Sequence, residues 1–275
     1  MPELPEVETV VQGLKSRIIG LEVKKVIFLS PHLEKKHPEE TRIINYFVGQ
    51  RISGVRRRGK MIIVEFDGRL NWLIHLKMTG QLFFADKNRP LDKHVHVRVL
   101  FKGLAQELRF RDVRKFGFWF CLEGPELEKR ISASLGPEPL ELNYRDFARL
   151  WQRYPSRQVK SLLLDQKIIA GLGNIYSDEI LFRAGVKPDR RLHSLTEEEG
   201  RKIYRAIKRV LREAIAMRGS SVSDYVDSDG ERGHFQEKHQ VYGRAGSICR
   251  RCKTGLIQQK KIAGRSSCFC PVCQK

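Results

Sequence analysis

At 275 residues, 41% of them hydrophobic, the chain is long enough to bury two cores and too apolar to be disordered throughout. Its 52 lysines and arginines against 32 acids leave a formal charge of +20, which points to a polyanionic partner, nucleic acid ahead of anionic membrane. No stretch approaches the roughly 18 to 20 apolar residues of a membrane span and no apolar leader follows Met1, so the expectation is an intracellular protein.

The chain starts MPELPEVETV. From Pro5, Val7, Val10, Val11, Leu14 and Ile18 recur at helical spacing, acids occupy the first turn, and Gly20 is placed to end a one-sided helix. Short β-like runs follow at Lys24 to Leu29, Met61 to Phe66, Leu70 to Met78, Gln81 to Ala85, His94 to Phe101 and Phe116 to Leu122. Many strands with short connections predict a sandwich. Prolines 125, 137 and 139 mark a linker, set at 131–143, between a β-rich domain over 1–130 and a helical one over 144–246. Helices are expected near Tyr144 to Tyr154, Val159 to Leu164, Ile175 to Ala184 and Thr196 to Met217, the last with a capping box in Ser194-x-x-Glu197. A Gly, Ser and Asp-rich stretch, 219–246, has no periodicity, and loops that long are usually functional or disordered.

Five of six cysteines crowd into Cys249 to Cys273, which argues for metal over disulfides. Cys249-Arg-Arg-Cys252, seventeen residues, then Cys270-Pro-Val-Cys273 fits a closed four-thiolate zinc site, with Ala263-Gly264 suited to a hairpin turn in a finger over 247–275. Cys268 is a rival ligand, although Cys268-x-Cys270 is cramped. Lone Cys121 reads as a small buried hydrophobe.

Three other stretches have two readings each. SLLLDQKIIAGLGNIYSDEILFRAG is either an ordinary helical hairpin or, with its glycines and an N-cap at Asn174, a phosphate grip at a helix start. VRRRGK, ending in Lys60, reads as a solvated basic patch, and HLKMTG as a strand end. DVRKFG puts Arg114 and Phe116 on one face if extended, where Phe116 is either core or a wedge of the kind that opens a base step.

Together PELPEVET, RRGK, HLKMTG, DVRKFG, LLLDQKIIAGLGNIYSDEILF, DYVDSDGERGHF and the four-cysteine finger with AGR resemble, nearly end to end, the bacterial formamidopyrimidine-DNA glycosylase family. That resemblance implies an α+β, two-domain protein: an N-terminal β-sandwich flanked by helices, then a helix-two-turns-helix domain ending in a zinc β-hairpin finger with one structural Zn2+. It implies a monomeric bacterial cytoplasmic enzyme that excises oxidised purines from double-stranded DNA and cuts at the abasic site. By motif, Pro2 is the nucleophile once Met1 is removed and Glu3 the acid and base. Lys60, Asn174 and Arg265 would hold phosphates, while Met78, Arg114 and Phe116 would fill the gap left by the extruded nucleotide. His75, Lys160 and Tyr242 would contact the backbone, Glu6 would lie near the flipped base, and a loop over 219–236 would close over it.

Departures are few: one extra residue and Cys268 between the finger's cysteine pairs, Lys77 where glycine is common, and Lys115 where arginine is common. The sister branch of endonuclease VIII type shares the proline but prefers oxidised pyrimidines; PELPE, Arg114 and Phe116 favour the purine branch. A non-catalytic zinc-ribbon binder would satisfy charge and cysteines, yet has no use for Pro2.

Overall fold

The computed structural model describes residues 1–29 and 44–275, and the chain divides into two compact units. The first comprises Met1–Ser132 and Met217–His234; the second comprises Ala133–Ala216 and Phe235–Lys275. The segment 217–234, expected in the helical domain, therefore groups with the β-rich unit. Hydrogen bonds of Ser220 and Tyr225 to Glu6 and of Phe84 to Ser228 hold it there, and sequence periodicity carries no trace of such ties.

In the first unit, helix α1 spans Leu4–Ile18 and buries Val7, Val10, Val11, Leu14 and Ile18, the stripe its spacing predicts. Strands β1 (Val23–Phe28), β5 (Gly80–Asp86), β6 (Val95–Phe101) and β7 (Gln106–Asp112) form one antiparallel sheet in the order β1-β6-β7-β5. Strands β2 (Ile52–Arg58), β3 (Met61–Phe66), β4 (Leu70–His75) and β8 (Phe118–Glu123) form the other, in chain order. Both sheets and α1 contribute to one core around Trp72, Trp119, Phe47, Phe66 and Phe110, with Cys121 packed in it as a small apolar group.

Two strands escape sequence patterning. In β2 the arginines are paired on both faces, Arg56 with Glu65 of β3 at 2.6 Å and Arg57 with Glu8 of α1 at 2.7 Å, so VRRRGK is a strand and the turn after it rather than a free basic patch. In β7 Leu108 and Phe110 face the core, while on the opposite face the buried Glu107 accepts from Arg98 at 2.6 Å and Arg109 at 2.7 Å, an ionic cluster that leaves only two apolar residues to mark the strand. Helix α2 (Gly124–Ser134) also forms inside the proline-marked stretch, because Pro125 takes a first-turn position that needs no N–H.

In the second unit, α3 (Tyr144–Gln152), α4 (Val159–Leu164), α5 (Asn174–Ala184) and α6 (Glu197–Ala216) follow the predicted order. Two start signals shift. The N-cap of α5 is Gly173, so Asn174 is its first helical residue. The capping box of α6 is Thr196 with Glu199, joined by Thr196 N–H to Glu199 Oε2 at 2.8 Å and Glu199 N–H to Thr196 Oγ1 at 3.2 Å. Strands β9 (Gln258–Ile262) and β10 (Arg265–Phe269) make the expected hairpin, and the positive φ of Ala263 (48°) and Gly264 (74°) gives it a two-residue turn.

Gly200 lies inside α6, where alanine normally stabilises a helix by about 1 kcal/mol. A Cβ there would sit 1.5 Å from Cζ3 of the Trp151 ring, so overpacking reverses the sign. Gly200→Ala is expected to lose about 1–3 kcal/mol of stability in urea unfolding.

Candidate nucleic-acid interface and active site

The first turn of α1 is organised by two buried carboxylates. Glu3, the N-cap residue, and Glu6 form a reciprocal capping box, in which the Glu3 N–H donates to Glu6 Oε2 at 2.7 Å. Glu3 therefore has a structural duty beside any chemical one. Pro2, directly before it, is buried while Met1 is exposed. Glu8 plays no part at this helix start; it pairs with Arg57 on β2.

The second oxygen of Glu6, Oε1, accepts the Ser220 N–H at 2.7 Å. Tyr225 Oη donates toward the carbonyls of Glu6 and Arg218, each at 3.2 Å. Burial, with the nearby Glu6 charge adding to it, raises the Tyr225 phenol above its ordinary value, so it remains a donor. Gly219 sits at φ +77°, and a Cβ on it would lie 2.7 Å from Glu6 Oε1, so only glycine fits. The segment's ends close where the His234 N–H meets the Met217 carbonyl at 2.9 Å, the geometry of a compact Ω-loop. Inside it Asp227 accepts the N–H groups of Asp229 (2.9 Å) and Glu231 (3.0 Å) and pairs with Arg218. The Phe84 N–H donates to the Ser228 carbonyl at 2.8 Å, fixing the loop to β5.

Lys60 is buried in the β2–β3 turn after Gly59, whose φ is +56°. His75 ends β4 and is also buried, with its ring centroid 5.3 Å from that of Phe118. Burial, helped by the charges of Lys77 and Lys60, pushes its imidazole down to about 3. The Lys77 N–H donates to His75 Nδ1 at 2.9 Å, which makes the neutral ring an Nε2–H donor.

Met78, Arg114 and Phe116 meet although 36 positions separate Met78 from Arg114. Arg114 Nη1 lies 3.2 Å from Met78 Sδ, and its guanidinium carbon stands 4.7 Å from the Phe116 ring centroid. Phe116 is 49% exposed and Met78 40% exposed, against the core alternative for Phe116. The stretch between Arg114 and Phe116 is not extended: Lys115 has φ +57°, so a turn, not strand alternation, brings the pair together.

In the second unit, Asn174 Nδ2 donates to the Ser266 carbonyl at 2.9 Å, bringing the start of α5 against β10. Gly173 offers that helix start no side-chain cap, leaving the positive end of the α5 dipole for an anion. Lys160 does not reach solvent. Its ammonium is fully buried, 2.6 Å from Asp178 Oδ1 and 3.3 Å from the same Ser266 carbonyl. Asp178 Oδ2 accepts the Cys268 N–H at 3.0 Å; burial raises this carboxyl, and Lys160 opposes the rise. Tyr242 is set by Glu179, whose buried carboxylate accepts the N–H groups of Gln240, Val241 and Tyr242 at 2.9–3.0 Å. Arg265 is exposed at the first position of β10, beside the hairpin turn.

The sulfurs of Cys249, Cys252, Cys270 and Cys273 all lie within 4.8 Å of one another. Two Sγ–Sγ separations are 3.8 Å (Cys249–Cys273) and 3.7 Å (Cys252–Cys270). A tetrahedron with metal–sulfur bonds of about 2.3 Å has an edge of about 3.8 Å, so the donor set fits such an ion. Cys268 stands outside this group, buried in the small core with Phe182 and Val241.

Sequence reading did not find Asp112, Asp178, Glu179 or Tyr225. Each acts through backbone amides or carbonyls, which leave no spacing pattern. Among the described residues, no helix is long and apolar enough to cross a membrane.

Residues 1–119 match the profile of the formamidopyrimidine-DNA glycosylase N-terminal domain and residues 135–226 that of the formamidopyrimidine-DNA glycosylase H2TH domain. The formamidopyrimidine-DNA glycosylases of Carboxydothermus hydrogenoformans and Heliobacterium modesticaldum are 41% and 43% identical to the chain, over 276 and 281 residues and 100% of both partners. The Lactococcus lactis Fpg solved with abasic-site DNA superposes with a TM-score of 0.90 at 34% identity over 99% of each chain. A mutant of that protein solved with Fapy-dG DNA gives 0.90 and 34% over 100% of each.

The low value of His75, and that of His239, which burial and Arg250 bring down to about 4, carry a pH prediction. An unfolded histidine takes up its proton near pH 6.5, at about which point the folded ring still refuses it. The unfolded state then binds more protons, so stability is complete above about pH 6.5 and is lost as pH falls toward 4 and then 3. Unfolding free energy measured across that range is expected to fall less steeply in His75→Gln than in the natural chain.

Proposed function

The chain belongs to the formamidopyrimidine-DNA glycosylase family and is a DNA glycosylase of DNA repair, and from that premise we propose a bifunctional enzyme that excises oxidised purines and then cleaves the strand. The observation that carries the reading is the exposed cluster of Met78, Arg114 and Phe116, in the same unit as a buried Pro2–Glu3 helix start. An apolar wedge beside an arginine is useful to a protein that opens a base stack. An N-terminal proline is useful to one that attacks a sugar.

With Met1 in place the Pro2 nitrogen is an amide and has no nucleophilic lone pair. Once Met1 leaves, it is a secondary α-amine, and an α-amino group titrates near pKa 8, against about 10.4 for lysine, so a useful fraction is neutral at physiological pH. Attack at C1′ forms the N–C1′ bond and breaks the glycosidic bond, and the base leaves with a proton. Glu3 protonates the ring oxygen as the sugar opens to a cationic iminium. That cation acidifies C2′; loss of the C2′ proton expels the 3′ phosphate and a second elimination the 5′ phosphate. Water then releases Pro2.

The neutral His75, donating through Nε2, and Lys60 supply donors for phosphate oxygens in the first unit. In the second, Asn174 and Arg265 do so, while Lys160 acts at one remove by holding Ser266. The 217–234 loop faces the extruded base, and Glu6 acts at one remove by holding that loop through Ser220; Tyr242 lies against the backbone, and Cys249, Cys252, Cys270 and Cys273 hold one structural zinc.

Excision of 8-oxoguanine and of thymine glycol is to be compared in duplex DNA, using the mature chain and one keeping an uncleaved extension before Pro2. The mature chain is expected to favour 8-oxoguanine, and the extended chain to lose excision and strand cleavage together. Preference for thymine glycol would assign the pyrimidine branch; an active extended chain would remove Pro2 from the mechanism.

A further inference from the structure

Asp112 ends β7, is 1% exposed, and takes no part in the chemistry described above. Both its carboxylate oxygens are nevertheless engaged by the two loops that carry the stack-filling side chains. Oδ1 accepts the Thr79 hydroxyl, next to Met78, and the Arg114 N–H at 3.2 Å. Thr79 Oγ1 in turn accepts the same Arg114 N–H at 3.0 Å. Oδ2 accepts the Gly117 N–H at 2.7 Å, next to Phe116. The Asp112 carbonyl meets His96 Nε2 at 2.8 Å, which anchors the residue to β6. A Cβ on Gly117 would come within 3.0 Å of Asp112 Oδ2 and 2.7 Å of the Phe110 ring, so the loop closes on the carboxylate only with glycine there.

We propose that Asp112, with Thr79 as its bridge, is the positioning residue of the Met78, Arg114 and Phe116 cluster and sets the rate at which the enzyme extrudes a paired nucleotide. The inference rests on the wedge reading given above. Three side chains on two loops fill a base-sized gap only if their spacing is fixed before DNA arrives, since ordering long side chains on binding costs conformational entropy. A buried carboxylate with several charge-assisted hydrogen bonds supplies that rigidity while leaving the apolar tips exposed. Asp112 touches neither sugar nor base, so its effect falls on extrusion, which is easiest where no base pair has to be broken.

The test is single-turnover excision of 8-oxoguanine paired with cytosine, beside incision of a preformed abasic site, with a 2-aminopurine reporter of extrusion. Asp112→Ala and the milder Thr79→Val are expected to slow excision and the reporter step about ten- to a hundredfold, while abasic-site incision changes less than about threefold. Thr79→Ser, which keeps the bridging hydroxyl, is expected to restore the natural rate. Equal slowing on both substrates, or Thr79→Ser as impaired as Thr79→Val, would reduce Asp112 to general structural support and overturn the proposal. So would unchanged excision in Thr79→Val and Asp112→Ala where Met78→Ala and Phe116→Ala slow it. If those two wedge variants also leave excision unchanged, the wedge reading itself fails.

Discussion

Much of the first unit depends on the two oxygens of one buried carboxylate. Glu6 uses Oε2 to hold the Glu3 amide at the start of α1 and Oε1 to hold the Ser220 amide in the 217–234 loop. Truncating it would leave two buried N–H donors without an acceptor, each worth roughly 1–3 kcal/mol. The same interaction makes the position of Pro2 depend on residues more than 200 places away in the chain. A helix start alone would be an ordinary capping box; joined to a loop closed on itself and tied to β5, it is a fixed platform.

The second unit uses the same device more than once. Glu179 gathers three successive amides and thereby sets Tyr242, while Asp178 holds both Lys160 and the Cys268 amide. Lys160 and Asn174 then converge on a single carbonyl, that of Ser266. Arg265 is the next residue back along the hairpin, so its backbone is fixed by a hydrogen-bonded node on one side and a two-residue turn on the other. Buried charges in such nodes are costly unless fully paired, which explains why each has several partners.

What was legible in the sequence follows from what each element buries. The stripe of α1, the apolar β3 and the Ala263-Gly264 hairpin between spaced cysteines announce themselves because period, apolarity and turn chemistry agree. Strands β2 and β7 do not, because their charged residues are paired inside the fold, Arg57 with Glu8 of α1 and Glu107 with both Arg98 of β6 and Arg109 of its own strand. The seven ordered motifs delivered the family and the residues worth placing. They did not show that Lys160 is buried, that Glu3 caps its own helix, or that Lys115 turns the chain between Arg114 and Phe116. Those facts arise from backbone hydrogen bonds between distant segments, which no local pattern encodes.

The central claim is that the nitrogen of Pro2 is the nucleophile. Borohydride reduction during turnover of 8-oxoguanine duplex, followed by proteolysis and mass spectrometry, locates the covalent bond to the sugar. The account predicts the sugar remnant on the peptide whose first residue is Pro2. A remnant on Lys60 or any other lysine, or no covalent product in a sample that excises the base, would contradict it.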